Sequence, residues 1–259
     1  MTDFKKIGSR IARGLIEAVF PAKCPICDNF FHKPQHYDVS KQDIRNLDFE
    51  QVMSPFLCHQ CLSGFSPIES LNYGKESRPI RQFRIARSFG NYKEKKEDTV
   101  LADAIECFKY HEKVQLAKPF ELLLFSVFAR YWEKEEIDFV MPVPLHIRRF
   151  RERGFNQAYL LIRNWRRMAE TFHIGSDFRI ERDVLFRHRW TEQQAKLTDS
   201  SSRAENVKGA FSVKNCSKIK GKKILLIDDV HTTGATVNEC AKVLLQGGAE
   251  YADVLTLAR

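Results

Sequence analysis

The stretch Lys223–Thr236 limits the possible folds of this chain more than any other part of the sequence. Residues 224–227 form a continuous apolar run, which is typical of a strand buried on both faces of a parallel sheet. Asp228 and Asp229 end that run, and a helical pattern follows a short loop of small residues. In open α/β sheets, ligands bind beyond the carboxyl ends of strands, where the next helix begins. The stretch therefore predicts a ligand site at the edge of a parallel sheet.

The loop between the acid pair and the helix has the composition of a phosphate site. Backbone N–H groups and hydroxyls meet at a helix N-terminus, which favours an anion. Gly234 permits a close approach of the backbone or a positive φ. The predicted phosphate-binding residues are Thr232, Thr233, Gly234, Ala235 and Thr236. Asp228 and Asp229 can accept hydrogen bonds from vicinal hydroxyls, so the predicted ligand is a ribose 5-phosphate.

An ordinary βα turn, in which the acid pair only ends a strand, is the alternative interpretation. Neither a dinucleotide fingerprint nor a lysine-bearing P-loop occurs in this stretch. Its order of strand, acid pair, Thr-Thr-Gly and helix closely resembles the phosphoribosyl pyrophosphate (PRPP) loop of type I phosphoribosyltransferases. That resemblance implies a parallel-sheet α/β fold and leaves the acceptor substrate open.

The length and composition suit a globular protein of one sizeable domain with a small appendage. The chain has 259 residues, of which 43% are hydrophobic, and a formal net charge of +9. No apolar run reaches the roughly 18 residues of a membrane span, and the charged start lacks a signal-peptide core. These features predict a cytoplasmic protein. The positive charge favours acidic partners such as phosphates or nucleic acid.

Two CxxC pairs account for four of the seven cysteines and predict a metal site in a reducing compartment. Two such knuckles can complete a tetrahedral zinc site, which leaves no open position for chemistry. Accidental spacing of reduced cysteines is the alternative. His32 and His36 lie between the pairs, and either could replace a thiolate. The predicted ligands of a structural Zn²⁺ are Cys24, Cys27, Cys58 and Cys61.

Three regions follow from the pattern along the chain. Residues 1–20 predict an amphipathic helix that packs on the protein, with a membrane-surface helix as the alternative. Residues 21–72 form the zinc-binding module, and residues 73–259 form the α/β domain, with a polar linker over 67–80. The predicted strands of this domain cover residues 84–92, 138–143, 184–189, 211–213, 224–227 and 253–257. The predicted helices include residues 99–110 and 114–131. Residues 191–203 are predicted to form a loop, with Arg189, Gln194 and Arg203 as ligand or packing candidates. The unpaired Cys107, Cys216 and Cys240 are predicted to be packing residues.

An arginine-rich stretch follows the strand at 138–143 and predicts a loop for a polyanion such as pyrophosphate. A solvated charge run at the head of a helix is the alternative. Lys109, at the end of a predicted helix, could add positive charge, although it could also be a solvated lysine of a last turn. The predicted pyrophosphate-binding residues are His146, Arg148, Arg149, Arg153 and Lys109.

Over nearly its whole length the chain resembles the ComF proteins of bacteria. The matching motifs are the two CxxC pairs, Phe108-Lys-Tyr, Pro142-Val-Pro-Leu-His, Arg153-Gly-Phe-Asn-Gln, Thr191-x-x-Gln194-x-x-Leu197, Arg203-x-x-Asn206, Gly209-Ala-Phe, the Asp-Asp…Thr-Thr-Gly loop and Leu257-Ala-Arg. The resemblance implies a small N-terminal zinc-ribbon-like module joined to a type I phosphoribosyltransferase fold. It also implies a role in natural competence, with single-stranded DNA and other DNA-uptake proteins as partners. The long insert between the knuckles and the His111-Glu112 pair depart from the family pattern.

Two functions remain open at the level of sequence. The first is a PRPP-binding protein that handles incoming single-stranded DNA during competence. The second is an active phosphoribosyltransferase that uses PRPP with Mg²⁺ and an unidentified nitrogen acceptor, with Asp228 and Asp229 as catalytic residues. For DNA, seven arginines between residues 148 and 167 provide charge, and Phe150, Phe155 and Trp165 are stacking candidates that could equally be core.

Overall fold

The computed structural model describes residues 21–34, 39, 42–65, 82–92, 100–110, 113–175, 177–191 and 200–259. The predicted helix over residues 1–20 and the whole predicted linker over 67–80 lie outside the described residues. Within the described part of the chain, no helix combines the length and apolar character needed to cross a membrane.

The central sheet has five parallel strands in the order β3-β9-β8-β4-β5. Two pairs of short strands lie outside it, β1 with β2 and β6 with β7, and both pairs are antiparallel. The strands are β1 (Ala22–Lys23), β2 (Phe30–Phe31), β3 (Ala86–Gly90), β4 (Phe139–Pro142), β5 (Arg179–Ile180), β6 (Leu185–Arg187), β7 (Phe211–Val213), β8 (Lys223–Val230) and β9 (Tyr251–Ala258). This sheet is the parallel α/β architecture that the sequence predicts.

Helices cover both faces of the central sheet, as parallel strands require. They are α1 (Phe49–Met53), α2 (His59–Leu62), α3 (Val100–Tyr110), α4 (Ala117–Tyr131), α5 (Ile147–Arg153), α6 (Gln157–Leu160), α7 (Trp165–Thr171), α8 (Ser200–Val207) and α9 (Ala235–Gln246). Short 3₁₀ turns occupy Ile44–Asn46, Val114–Leu116 and Cys216–Lys218.

Strand β8 is the middle strand of the central sheet, and this position explains its continuous apolar sequence. Leu225 and Ile227 belong to the core on one face of the sheet, where α3, α4 and α7 pack. Ile224 and Leu226 belong to the core on the other face, where α9 and the β6–β7 pair pack. Because side chains of a strand alternate between faces, burial on both faces requires an uninterrupted apolar sequence.

The described residues between 21 and 65, here called the cysteine module, share a core with α4. Ile44, Phe49 and Met53 are buried in the same hydrophobic cluster as Phe120 and Phe128 of that helix. Polar contacts reinforce this packing. The Arg45 guanidinium lies 2.6 Å from Glu133, and Arg130 donates a hydrogen bond of 2.8 Å to the Arg45 carbonyl.

Two sequence predictions are wrong in detail. The arginine-rich segment is a helix, α5, and not a loop; it ends at Gly154, whose φ of +75° suits a helix C-terminus. Cys216 is exposed and is therefore not a packing residue, whereas Cys107 and Cys240 are buried as predicted.

Candidate functional site

The turn from β8 to α9 has the geometry of an anion-binding loop. Gly234 has a φ of +77° and precedes the first residue of α9. A Cβ atom at this position would lie 2.3 Å from Nε2 of the buried His231 imidazole, so only glycine fits. Thr233 Oγ1 accepts a hydrogen bond from the Ala235 backbone N–H at 3.4 Å. The backbone and hydroxyl groups of residues 232–236 thus surround the N-terminus of a twelve-residue helix.

The two carboxylates at the end of β8 have different environments. Burial and the negative charge of Asp229 raise the pKa of Asp228 to about 7. The Asp229 backbone N–H donates to Asp228 Oδ1 at 2.9 Å. Asp229 forms an ion pair with Lys109, whose Nζ lies 3.0 Å from Oδ1. Burial alone would lower the pKa of Lys109, but the Asp229 carboxylate raises it above its ordinary value, so this lysine is charged.

A cleft of about 830 Å³ lies beside this turn at the carboxyl edge of the sheet. Most of the predicted site residues line it: Lys109, Arg149, Arg153, Asp228, Asp229, Thr232, Thr233, Gly234, Ala235 and Thr236. These residues come from α3, α5 and the β8–α9 turn, which are far apart in sequence. The fold therefore brings the predicted phosphate loop, acid pair and positive charges to one cleft.

Of the predicted pyrophosphate-binding residues on and beside α5, some line the cleft and others do not. Arg149 and Arg153 are four residues apart, so they project from the same face of the helix, and both line the cleft. Arg149 is buried with its guanidinium 5.0 Å from the Trp190 ring, and Arg153 lies 4.8 Å from the Tyr110 ring. Burial and the neighbouring Arg153 lower the pKa of Arg149.

His146 and Arg148 are not among the residues that line the cleft. His146 caps α5, where its Nδ1 accepts the Arg148 backbone N–H at 3.2 Å, and its ring packs edge-on against Trp190. Burial and the charge of Arg148 lower the pKa of His146, which keeps the imidazole neutral. The Arg148 side chain is exposed. In this structure the two residues support α5 and do not form the wall of the cleft.

Several lining residues received no role from the sequence. Arg187 reaches the cleft from β6, and Gln157 from the start of α6. Arg203, which the sequence marked only as a ligand or packing candidate, donates a hydrogen bond of 3.3 Å to Thr232 Oγ1. Glu106 lines the cleft and accepts a hydrogen bond from the Tyr92 hydroxyl. An available signal was the position of Glu106, three residues before Lys109 on the same helical face.

The four predicted metal ligands form one cluster in the cysteine module. Their sulfur atoms all lie within 4.8 Å of one another, with Sγ–Sγ distances of 3.9 Å for Cys24–Cys61 and 3.5 Å for Cys27–Cys58. Four sulfurs around a tetrahedral ion with bonds of about 2.3 Å would be about 3.8 Å apart. The cluster can therefore hold a metal ion. His32 is not part of it, and His36 lies outside the described residues.

The aromatic residues proposed as stacking platforms differ in accessibility. Trp165 is fully buried and packs against Phe125, Phe128 and Phe178, so its proposed stacking role is wrong. Phe155 stacks on Phe108 within the protein. Phe150 remains exposed on α5.

Known proteins with similar sequences share names that refer to competence or DNA utilisation. The DNA utilization protein YhgH of Escherichia coli K12 is 32% identical over 162 residues, which cover 61% of this chain and 67% of that protein. Competence protein F of Haemophilus influenzae is 36% identical over 122 residues, covering 46% of this chain and 49% of that protein. Competence protein ComFC of Bacillus subtilis is 31% identical over 149 residues, covering 58% and 55%. The chain thus spans about half to two thirds of the length of these relatives.

No family model matches the chain. A solved structure of the allosteric regulatory enzyme of purine biosynthesis aligns at 17% identity with a TM-score of 0.33, covering 54% of this chain and 26% of that one. Similarity at this level is too low to support a conclusion.

The fold and the site together define a protein with a parallel α/β domain, a ligand cleft at the carboxyl edge of its sheet and a four-cysteine module. Within that class the chain belongs to the ComF family, because its similarity to the Escherichia coli relative extends over two thirds of that protein.

Proposed function

We propose that the cleft binds PRPP together with Mg²⁺. The observation that supports this proposal is a single cleft in which a helix N-terminal loop, a carboxylate pair and a wall of positive charge are neighbours. The 5-phosphate would bind the loop at Thr232–Thr236, and Asp228 with Asp229 would accept hydrogen bonds from the ribose hydroxyls. The diphosphate would contact Lys109, Arg149 and Arg153, whose charges match a polyanion.

The chemistry of the cleft fits Mg²⁺ accompanying the diphosphate. Mg²⁺ prefers hard oxygen ligands and is commonly held by one or two carboxylates plus substrate phosphates. Asp228 and Asp229 line the same cleft as the proposed diphosphate residues and offer such oxygens. When bound, the ion neutralises charge on the leaving diphosphate.

The reaction supported by this arrangement is transfer of the 5-phosphoribosyl group to nitrogen. A nitrogen lone pair forms a bond to C1 of the ribose as the C1–O bond to the diphosphate breaks. Pyrophosphate leaves, and the proton of the nitrogen passes to solvent. The chain contributes orientation and electrostatic stabilisation. Lys109 would exchange its contact with Asp229 for one with the diphosphate, and the acid pair would then face the positive charge that develops on the ribose.

A screen for pyrophosphate release from PRPP across nucleobases and amines tests this reaction. We expect pyrophosphate release to require both Mg²⁺ and one acceptor. The release should disappear in the double variant Asp228→Ala/Asp229→Ala. Tight PRPP binding without release for any acceptor would leave a PRPP-responsive binding protein, and transfer would be rejected.

We further propose that the cysteine module holds a structural Zn²⁺. The distances between the four sulfurs support zinc, and the closed set of protein ligands leaves no position for substrate. Free thiols in such a site require a reducing compartment, so the proposed location is the cytoplasm.

Single-stranded DNA is a second proposed ligand, supported by the outer face of α5. Ile147 is 53% exposed and Phe150 is 45% exposed, and the exposed Arg148 and Arg151 adjoin them. An aromatic ring between arginines suits a base and its phosphates. This face points away from Arg149 and Arg153, so DNA and PRPP need not compete. The names of the relatives agree with such a role in DNA uptake.

Salt-dependent titration of a labelled oligothymidylate tests this second ligand. Binding should weaken with salt, with a slope of roughly 0.7 per phosphate neutralised. Arg148→Glu/Arg151→Glu should abolish it. Arg163→Glu/Arg167→Glu on the neighbouring surface is the matched control; Arg166 is left intact because its guanidinium donates to the Phe178 carbonyl at 2.7 Å. An equal loss of DNA affinity in both variants would indicate that the net positive charge of the protein, and not this face of α5, binds DNA. The absence of binding at low salt would reject single-stranded DNA as a ligand.

A further inference from the structure

Two buried N–H donors of the cleft have no hydrogen-bond acceptor within the described part of the chain: Arg187 Nε and Gln157 Nε2. Gln157 is 2% exposed. Buried polar groups are nearly always paired, and an unpaired donor costs free energy. Two such donors in one cleft therefore indicate a ligand group that accepts hydrogen bonds.

Among the described residues, no Asp or Glu forms an ion pair with Arg187, and its Nη2 donates instead to the hydroxyl of Thr191. Its guanidinium lies 5.2 Å from the Phe211 ring, in the packed β6–β7 pair. Burial lowers the pKa of Arg187, and the charge of Arg149 lowers it further, whereas the charge of Asp228 raises it. A partly buried cation in such surroundings is stabilised by an anion, which the described residues do not supply through an ion pair.

The place of Arg187 distinguishes it from the proposed diphosphate residues. It reaches the cleft from the β6–β7 pair, whereas Lys109, Arg149 and Arg153 come from α3 and α5. It lines the same cleft as Asp228 and Arg149, to which the ribose hydroxyls and the diphosphate are assigned. C1 of the ribose adjoins the hydroxyls that Asp228 would hold. An anion on Arg187 would therefore occupy the cleft in which that carbon receives the acceptor.

We propose that the acceptor is a carboxylate-bearing nitrogen compound, and that Arg187 with Gln157 recognises its carboxylate. A guanidinium and an amide N–H are donor groups that suit the two oxygens of a carboxylate. This inference rests on the proposed transfer function and names its acceptor class. A site that hydrogen-bonds a substrate group rejects analogues that lack it, so the preference over a neutral isostere should be roughly 100-fold or more.

Matched pairs of probes test the proposal: orotate against uracil, nicotinate against nicotinamide, and anthranilate against aniline. Binding of each is measured by calorimetry on the full chain, with and without Mg²⁺ and PRPP, and pyrophosphate release is followed in parallel. At least one carboxylated probe should bind roughly 100-fold more tightly than its neutral partner. The absence of a preference in all three pairs would overturn the proposal.

Variants assign the preference to Arg187. Arg187→Gln should reduce the ratio of carboxylated to neutral binding to near one while leaving PRPP affinity unchanged, and Arg187→Lys should restore part of it. Arg189→Gln is the control, since the exposed Arg189 donates to the carbonyls of Asn206 and Lys208. If Arg187→Gln weakens PRPP or pyrophosphate binding but keeps the ratio of carboxylated to neutral binding, Arg187 belongs to the PRPP site and the proposal is wrong. If Arg187→Gln does not fold, Arg187→Lys decides, because full retention of the ratio in it would contradict recognition by the guanidinium.

A failure of the proposed PRPP site would give a result that differs from a failure of the proposed acceptor class. If PRPP does not bind the wild-type chain, the proposed transfer function fails, while titration of the probes alone still shows whether Arg187 selects carboxylates. If PRPP binds and the pairs show no preference, only the acceptor class fails.

Discussion

At the scale of the residue, Asp228 is a buried acid kept at a cost to stability. Its pKa rises to about 7 through burial and the adjacent Asp229 charge. The folded state therefore holds a proton that the unfolded state releases near the ordinary aspartate pKa of 3.8. The contribution of Asp228 to the free energy of unfolding is therefore greatest below its pKa in the unfolded state. It declines as the pH rises from there toward 7. A destabilised group of this kind is typical of functional sites.

Asp228→Asn should remove this decline. The variant should be more stable than the wild type at pH 8, by on the order of a few kcal/mol, with the difference shrinking as the pH falls toward 4. Urea unfolding across that range measures it, and the exposed Asp183→Asn is the control. A difference that does not change with pH would contradict the assigned cause.

At the scale of the element, α5 explains which arginines can reach the cleft. The helical period places Arg149 and Arg153 on the cleft side, while Arg148 projects to solvent. Arg149→Gln should therefore weaken PRPP binding by roughly 10- to 100-fold, as expected for the loss of a charge-assisted hydrogen bond. Arg148→Gln is the matched control and should leave affinity unchanged in calorimetry. An equal loss in both variants would show that the segment rearranges around the ligand.

The cysteine module gives a second prediction at this scale. Because the module and α4 share one core, loss of its metal should loosen that core as well. Cys58→Ser should lower the metal content from about one zinc per chain to near zero and reduce the thermal midpoint. The exposed Cys216→Ser should change neither. Metal analysis that finds no zinc in freshly prepared wild-type protein would contradict the proposal.

Elements defined by a continuous segment were predictable, and those defined by tertiary packing were not. The apolar run of β8 and the Gly-containing turn carry their own pattern, so the strand and the start of α9 followed from sequence. Helix α5 was not predicted, because its sequence is rich in arginine and carries no buried apolar stripe. Its apolar residues Ile147 and Phe150 are three residues apart and both exposed. Gly154 was the available stop signal.

At the scale of the whole molecule, strand order decides which residues meet. β4 and β8 are neighbours in the central sheet, so the segments after them open at one edge. Asp228 and Arg149 therefore share a cleft, and Lys109 lines the same cleft from α3. Arg187 could not be predicted, because β6 belongs to a separate pair whose position depends on packing against α9 and the sheet.

The most direct test of the proposed PRPP site is thermal unfolding with PRPP and Mg²⁺. A ligand at about 100 times its Kd stabilises the folded state by about 2.7 kcal/mol, or roughly 5–10 °C for a chain of this size. The wild type should show such a shift, and Asp228→Ala/Asp229→Ala should lose most of it while keeping its metal content. A double variant that responds to PRPP like the wild type, or a wild type that does not respond, would contradict the proposed site.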